Sequence, residues 1–94
     1  VPLLGGVRDL VAAGYVTGAS GRNWASYGAE VDLPDGFSDQ DRAILSDPQT
    51  SGGLLVACAE ADAAEVLRIF RDHGFDEVAV IGRVAEGAGR LVVE

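Results

Sequence analysis

The chain has 94 residues, enough for one domain and not for two. Hydrophobic residues make up 48% of it and charged residues 23%, which is ordinary globular usage and argues against disorder. The net charge is -8, with seven basic residues, all arginine, so nucleic acid is a poor candidate partner. No apolar run approaches the roughly 20 residues that span a bilayer, and the start lacks a basic signal region. We therefore expect a cytoplasmic protein with no membrane partner.

The first part of the chain predicts a helix and then a loop. Apolar residues at helical spacing indicate a helix over residues 6–13, which Gly14 can end in the left-handed conformation. Residues 17–23 are polar and rich in glycine, which is typical of a loop. Trp24 and Tyr27 lie three apart, the spacing of one helical face, and we expect them to anchor that loop.

The middle of the chain predicts a strand, a turn and a short helix. A weak strand covers residues 30–33, and Pro34-Asp35-Gly36 has the composition of a turn. Ser38 and Asp41 resemble a capping box, so a helix should follow and run to about Leu45.

The last part of the chain predicts strand, helix and strand. Residues 54–59 are apolar and indicate a buried strand, and a capping-box-like pair, Asp62 and Glu65, opens the next helix. Gly74 ends that helix, whose apolar stripe consists of Ala63, Val66, Leu67 and Phe70. Two further strands, over residues 78–81 and 91–93, are joined by a turn at 86–89. The order predicts a βαβ-type crossover followed by a hairpin strand, in an α/β (α+β) two-layer domain that covers residues 1–94.

The side chains offer little recognisable chemistry. Cys58 is the single cysteine, so no internal disulfide can form, and its place in the apolar run predicts a buried structural residue. The single histidine, His73, is expected at a helix end, and with one cysteine it cannot build a zinc site. A serine–histidine triad and a lysine Schiff base lack convincing parts, and the absence of lysine excludes the phosphate loop of nucleotidases.

Two stretches remain as candidate ligand sites. Thr50-Ser51-Gly52-Gly53 offers two hydroxyls and backbone amides that can form a nest for an oxyanion, and Asp47 just before it could hold a cation or cap the turn. The structural alternative is a tight turn in which threonine and serine bond their own backbone. Residues 18–23 are similarly open: Arg22 for an anion, or simply a surface loop.

Four motifs resemble the carboxyl-terminal part of the selenophosphate synthetase (selenide, water dikinase) family. The most specific is Asp47-Pro48-Gln49-Thr50-Ser51-Gly52-Gly53-Leu54-Leu55. Residues 18–23 with Tyr27-Gly28 are similar to the family's Gly-Gly-Thr-x-x-Asn loop, although Ala19-Ser20 replaces its Gly-Thr pair. The other two are Pro2-Leu3-Leu4 before the first helix and Ile81-Gly82-Arg83-Val84 near the end.

The resemblance implies an enzyme that converts ATP, selenide and water to selenophosphate, AMP and phosphate, using magnesium. It also implies an aminoimidazole ribonucleotide synthetase-like fold, in which this chain forms part of the carboxyl-terminal domain, a mixed sheet with helices on one face. An amino-terminal domain forms the dimer, so the implied partners are that domain and a second copy. The 47–53 segment is expected to face the domain interface near the phosphates or the bound selenium. The implied cofactor-binding residues are Asp47, Gln49, Thr50, Ser51, Gly52, Gly53, Ser20 and Asn23.

The family's catalytic cysteine or selenocysteine, its lysine and its metal-binding aspartates have no counterpart here, and Cys58 sits elsewhere. We therefore expect no catalytic or metal-binding residue in this chain, no tightly bound cofactor, and no activity of the chain alone. The chain lacks methionine and opens on an apolar segment, which suggests a piece of a longer protein. Two alternatives stay open: another member of the same ATP-binding superfamily, or a non-catalytic binding or dimerisation module.

Overall fold

The computed structural model describes all 94 residues, and their contacts divide the chain into two compact units. We call Val1–Leu4 with Gly53–Glu86 unit 1, and Gly5–Gly52 with Gly87–Glu94 unit 2. No helix in either unit combines the length and the apolarity that crossing a bilayer requires.

Unit 2 contains three helices and a two-stranded sheet. The helices are α1 (Val7–Ala12), α2 (Gly18–Tyr27) and α3 (Asp39–Leu45), with a 3-10 turn at Gly28–Glu30. Strand β1 (Val31–Asp32) pairs in parallel with β2 (Leu91–Val92). Helix α3 contacts both α1 and α2, and Arg8 of α1 forms an ion pair with Asp41 of α3 at 2.6 Å.

Helices α1 and α3 confirm their predictions, because local chemistry sets their ends. Gly14, just beyond α1, has a φ of 91°, a left-handed conformation that closes the helix. The Ser38 hydroxyl accepts a hydrogen bond from the Asp41 amide at 3.0 Å and donates one to the Asp41 carboxylate. The hydroxyl of Ser38, and then the guanidinium of Arg8, lower the pKa of Asp41. The turn before α3 is also confirmed, with Gly36 at a φ of 78°.

The loop predicted over residues 17–23 is wrong. Only Thr17 is extended, with a ψ of 144°, and helix α2 begins at the next residue. The glycines at 18 and 21 weaken the intrinsic helix propensity. Contacts with α3 override that weakness, since Asn23 bonds the carbonyl of Ser46 and Trp24 lies beside Arg42. The predicted shared face of Trp24 and Tyr27 is confirmed by edge-to-face rings whose centroids are 6.5 Å apart, but both residues belong to α2 and there is no loop for them to anchor.

The predicted mixed sheet is not formed, although the combination of helices with a small sheet agrees with the α/β class. The predicted strand over 30–33 is confirmed at Val31–Asp32, and the strand at the end of the chain is confirmed at Leu91–Val92. The second of these does not form a hairpin. It pairs in parallel with β1, with Val31 opposite Leu91, and the Val93 amide extends the ladder to the Asp32 carbonyl at 2.9 Å.

Arg90 stabilises this strand pair. Its guanidinium binds both carboxylate oxygens of Asp32, at 2.7 and 2.5 Å, and also donates to the carbonyl of Ala29 at 3.1 Å. A two-point contact of this kind fixes the geometry of both side chains. This side-chain contact holds β1 and β2 together, because the backbone ladder between them is too short to be stable alone.

Asp32 makes the stability of unit 2 depend on pH. The hydrogen bond from Arg90 lowers the pKa of Asp32 below its ordinary value of 3.8. A lowered pKa contributes stability that is present above 3.8 and is lost as the pH falls through the lowered value. We expect Asp32→Asn to flatten the acid limb of stability below about pH 4. Urea unfolding at successive pH values measures this, with Asp35→Asn as the matched control. An acid limb in Asp32→Asn as steep as in the parent would contradict it.

Unit 1 is built on helix α4 (Ala63–Asp72), which a 3-10 turn at Glu60–Asp62 precedes. The predicted apolar stripe is confirmed as the half-buried face of α4, and Gly74 ends the helix with a φ of 85°. His73 also lies at the helix end as predicted, with Nδ1 2.8 Å from the carbonyl oxygen of Ile69. The predicted capping pair is wrong. Asp62 is already helical in φ and ψ and makes no cap bond, while Glu65 pairs with Arg68.

The strands predicted over 54–59 and 78–81 are wrong, and so is the βαβ crossover that they would have formed. Both segments lack strand pairing, and Leu54 and Leu55 are 77% and 76% exposed. Cys58, predicted to be buried, is also exposed. An apolar β-branched run forms a strand only when a neighbouring backbone supplies hydrogen-bond partners, and these residues make no such pairing.

The chain has no buried apolar residue. The two buried residues are polar, Ser20 at 2% exposure and Ser46 at 3%, while large apolar side chains lie open in both units. Soluble domains ordinarily bury most of their valine, leucine and isoleucine side chains. Contiguous exposed apolar surface usually marks an interaction site.

Candidate functional site

The segment formed by residues 47–53 follows α3 directly, and its first residues belong to unit 2. The Gln49 side-chain amide donates to the Asp47 carboxylate at 2.5 Å, which joins two of the predicted site residues. Gly52 passes close to Gln49, since a Cβ on Gly52 would lie 3.1 Å from the Gln49 Cβ. The segment therefore turns back on itself, and glycine at 52 permits the close approach. Gly53 is the first residue of the long part of unit 1.

Thr50 and Ser51 stand at the exposed tip of the segment. Neither hydroxyl has a hydrogen-bond partner within the chain. Thr50 and Ser51 are the central residues of a hydrogen-bonded turn, and outside that turn no amide from Gln49 to Gly53 donates to a backbone carbonyl. The tight turn of the structural alternative is thus present at Thr50 and Ser51, but their hydroxyls do not bond its backbone. Unpaired successive amides and free hydroxyls are the groups that bind an oxyanion.

Asn23 is joined to the start of this segment. Its side-chain amide donates to the backbone carbonyl of Ser46 at 2.9 Å, and Ser46 immediately precedes Asp47. The Ser46 hydroxyl donates to the carbonyl of Arg42 at 2.8 Å, and the Ser46 amide bonds the same oxygen at 3.1 Å. The amide and hydroxyl of Ser46 are therefore held by α3, and its carbonyl is held by α2.

Ser20 is placed differently from the other predicted residues. It is buried on α2, with its hydroxyl 3.2 Å from the hydroxyl of Thr17. In this arrangement its hydroxyl supports the first turn of α2 and is not offered to solvent. The structure thus connects Asn23 with the 47–53 segment by a hydrogen bond and leaves Ser20 in the helix.

Arg42, which the sequence did not single out, organises this region together with Trp24 and Gly28. The Arg42 guanidinium carbon lies 5.4 Å from the centroid of the Trp24 ring, within cation–π range. On Gly28, a Cβ would lie 2.6 Å from the Trp24 ring, so only glycine leaves room for the indole. The spacing of Trp24 and Gly28, four apart in a helix, was a signal that could have identified this contact.

No group of three or more histidine, cysteine, aspartate or glutamate side chains is placed to hold a metal ion. Two surface depressions lie elsewhere. One of about 240 Å³ in unit 2 is lined by Tyr27, Glu30, Val31, Gly89 and Leu91, and one of about 180 Å³ in unit 1 by Ile69, Phe70, His73 and Phe75. Neither contains a predicted site residue. The groups of this chain that are best suited to bind a ligand are therefore the exposed groups of the 47–53 segment.

Comparison with known families identifies the class of protein. Residues 7–94 match the family of AIR synthase related proteins, over its C-terminal domain. The match covers almost the whole chain, so the chain belongs to this family.

The curated relatives are selenide, water dikinases, which confirms the predicted resemblance. The protein of Burkholderia pseudomallei (strain K96243) is 56% identical over 93 residues, and that of Pseudomonas straminea 53%. The protein of Rhizobium meliloti (strain 1021) is 48% identical. Each match covers 99% of this chain but only 26%, 26% and 27% of the relative, so the chain spans about a quarter of their length. No solved structure matches the chain significantly.

Proposed function

We propose that this chain is the carboxyl-terminal part of a selenide, water dikinase, the enzyme that makes selenophosphate, AMP and phosphate from ATP, selenide and water. The observation that carries the proposal is 56% identity to such an enzyme over 93 residues. The free hydroxyls of Thr50 and Ser51, and the amides of the 47–53 segment outside its turn hydrogen bond, support it because they suit a phosphate.

In the complete enzyme, the role of this chain is to bind and orient the phosphate groups of the substrate. The hydroxyls of Thr50 and Ser51, with the amides of the segment outside its turn hydrogen bond, donate to phosphate oxygens of ATP or of the product. Asp47 and Gln49 close the turn that presents these donors. Asn23 supports the segment from α2 through its bond to Ser46, and Ser20 contributes as a buried residue of the same helix. These donors fit a phosphate group. The chain brings together no cluster of three carboxylates, so we assign the magnesium ligands to the preceding part of the polypeptide, and with them the reactive cysteine or selenocysteine.

The exposed apolar side chains support a partner for unit 1. Leu54, Leu55 and Val84 are 77%, 76% and 91% exposed, and the relatives are nearly four times as long as this chain, which covers 26% of them. We propose that the preceding amino-terminal domain covers these residues, and that the intact protein is a homodimer in the cytoplasm. The alternative of a stand-alone dimerisation module requires a second copy of this chain on the same surface.

A graft into a relative tests the proposed function. We expect a chimera of the Burkholderia pseudomallei enzyme, with this chain replacing the matching 93 residues, to form selenophosphate from ATP and selenide. We expect the chain alone to form none, because it carries no nucleophile or base suited to the transfer. Phosphorus NMR of selenophosphate, together with AMP release, measures both.

The matching segment of the Rhizobium meliloti enzyme, grafted at the same junction, is the control for any loss of activity caused by the grafting itself. If that graft is active while the graft of this chain is folded and inactive, the proposed function is wrong. Light scattering on the chain alone tests the second candidate function, the stand-alone dimerisation module. A defined dimer that leaves the apolar residues of unit 1 protected would favour the dimerisation module.

A further inference from the structure

We propose that Asn23 is a positioning residue that fixes the start of the 47–53 segment through the backbone carbonyl of Ser46. The inference rests on the proposed function, in that the 47–53 segment is taken to meet the phosphate. It assigns Asn23 a role different from direct contact with the nucleotide, which is what the resemblance to the family implies.

The hydrogen bonds around Ser46 carry the inference. Ser46 is 3% exposed, and all three of its polar groups are bonded: the amide and the hydroxyl to Arg42, and the carbonyl to Asn23 at 2.9 Å. Beyond Ser46 the chain becomes exposed, and residues 48–53 have no side chain or amide bonded to a neighbouring element. Ser46 is thus the last fixed point before the segment.

The direction of the Asp47–Gly53 backbone therefore depends on the peptide plane between Ser46 and Asp47. The Arg42 bonds hold Ser46 at the amide and side chain, but only the Asn23 amide holds its carbonyl. Without that donor the plane can rotate, since the Asp47 amide has only a long contact, at 3.4 Å, to the carbonyl of Ile44. A rotation there moves every amide that follows.

Three variants of the chimera separate the roles of the donor and of the side-chain volume. Asn23→Asp keeps the shape and removes the donor, Asn23→Ala removes both, and Asn23→Gln keeps a donor on a longer arm. Small misplacement of donors costs rate more than affinity, so we expect Asn23→Asp and Asn23→Ala to lower kcat by about 10- to 100-fold. KM for ATP should stay within about threefold of the parent, because the donors themselves are retained. Asn23→Gln should recover part of kcat.

Amide hydrogen exchange gives a readout that does not depend on catalysis. In Asn23→Asp and Asn23→Ala, the amides of Ser46 and Asp47 should exchange about tenfold faster, as their local opening becomes easier. Ser26→Ala, an exposed change on the same helix, is the control that should alter neither exchange nor kcat.

The outcomes are distinct. A rise in KM for ATP with kcat unchanged would show direct nucleotide contact and overturn the positioning role. Unchanged exchange at Ser46 and Asp47 would overturn it as well. An inactive parent chimera alongside an active Rhizobium meliloti graft would overturn the proposed function, while the exchange result would still decide whether Asn23 holds Ser46.

Discussion

Replacing Thr50 and Ser51 together by alanine is expected to lower kcat for selenophosphate formation in the chimera by about 100-fold. Removing a single preorganised donor to a developing negative charge costs that order of rate in other enzymes. Both hydroxyls are exposed at the tip of the 47–53 segment and bond nothing within the chain. They are therefore free to donate to a phosphate, and their loss removes no contact that supports the fold.

The folded state should survive this double substitution. We expect the midpoint of urea unfolding, followed by circular dichroism, to change little, because surface substitutions away from caps and packed contacts usually have small effects. Ser26→Ala is the matched control, since it removes an exposed hydroxyl from α2 and should leave kcat intact. Turnover equal to the parent in the double variant would show that these hydroxyls do not meet the substrate.

Gly28→Ala is expected to destabilise unit 2 by about 2 kcal/mol, the usual cost of forcing an extra carbon into an occupied space. The φ of Gly28 is -59°, which any residue adopts, so backbone strain is not the reason. The added Cβ would lie 2.6 Å from the Trp24 ring, and the ring would have to move away. That movement would also disturb its contacts with Tyr27 and Arg42.

A second glycine of the same region provides the control. Gly21 lies inside α2 with no atom within 4 Å of an added Cβ, so Gly21→Ala should stabilise the helix by about 1 kcal/mol. In a Trp24→Leu background, Gly28→Ala should cost much less stability, because the indole that its Cβ would meet is gone. A double-mutant cycle measures this difference in the free energy of unfolding. Equal unfolding midpoints for Gly21→Ala and Gly28→Ala would show that the indole does not occupy this space.

The candidate site was predictable in part. The sequence identified residues 47–53 as a polar, glycine-containing segment before an apolar run, and the resemblance to the family added Asn23 and Ser20 as candidate site residues. The hydrogen bond from Asn23 to Ser46 was not predictable, because it joins residues on two helices whose packing the sequence does not specify. The same holds for Arg42 beside Trp24. For Ser20, the loop interpretation placed its hydroxyl in solvent, whereas helix formation buries it.

The strand predictions failed where a partner was needed. Residues 54–59 and 78–81 have the composition of strands, yet both remain unpaired. Residues 31–32, with a weaker strand pattern, do form a strand because β2 and the Arg90–Asp32 pair lie beside them. Composition measures how well side chains suit a sheet, but hydrogen-bond partners come from distant parts of the chain.

The sequence by itself determined the features that local chemistry controls. These are the left-handed glycines at 14, 36 and 74, the Ser38 cap and the apolar stripe of α4, and its motifs also identified the family. Tertiary structure decided the helical state of residues 18–27, the parallel pairing of Val31 with Leu91, and the link from Asn23 to the 47–53 segment. The physical reason is the range of the interactions. Caps and turns are satisfied within a few residues, whereas sheets and helix contacts depend on groups that only folding brings together.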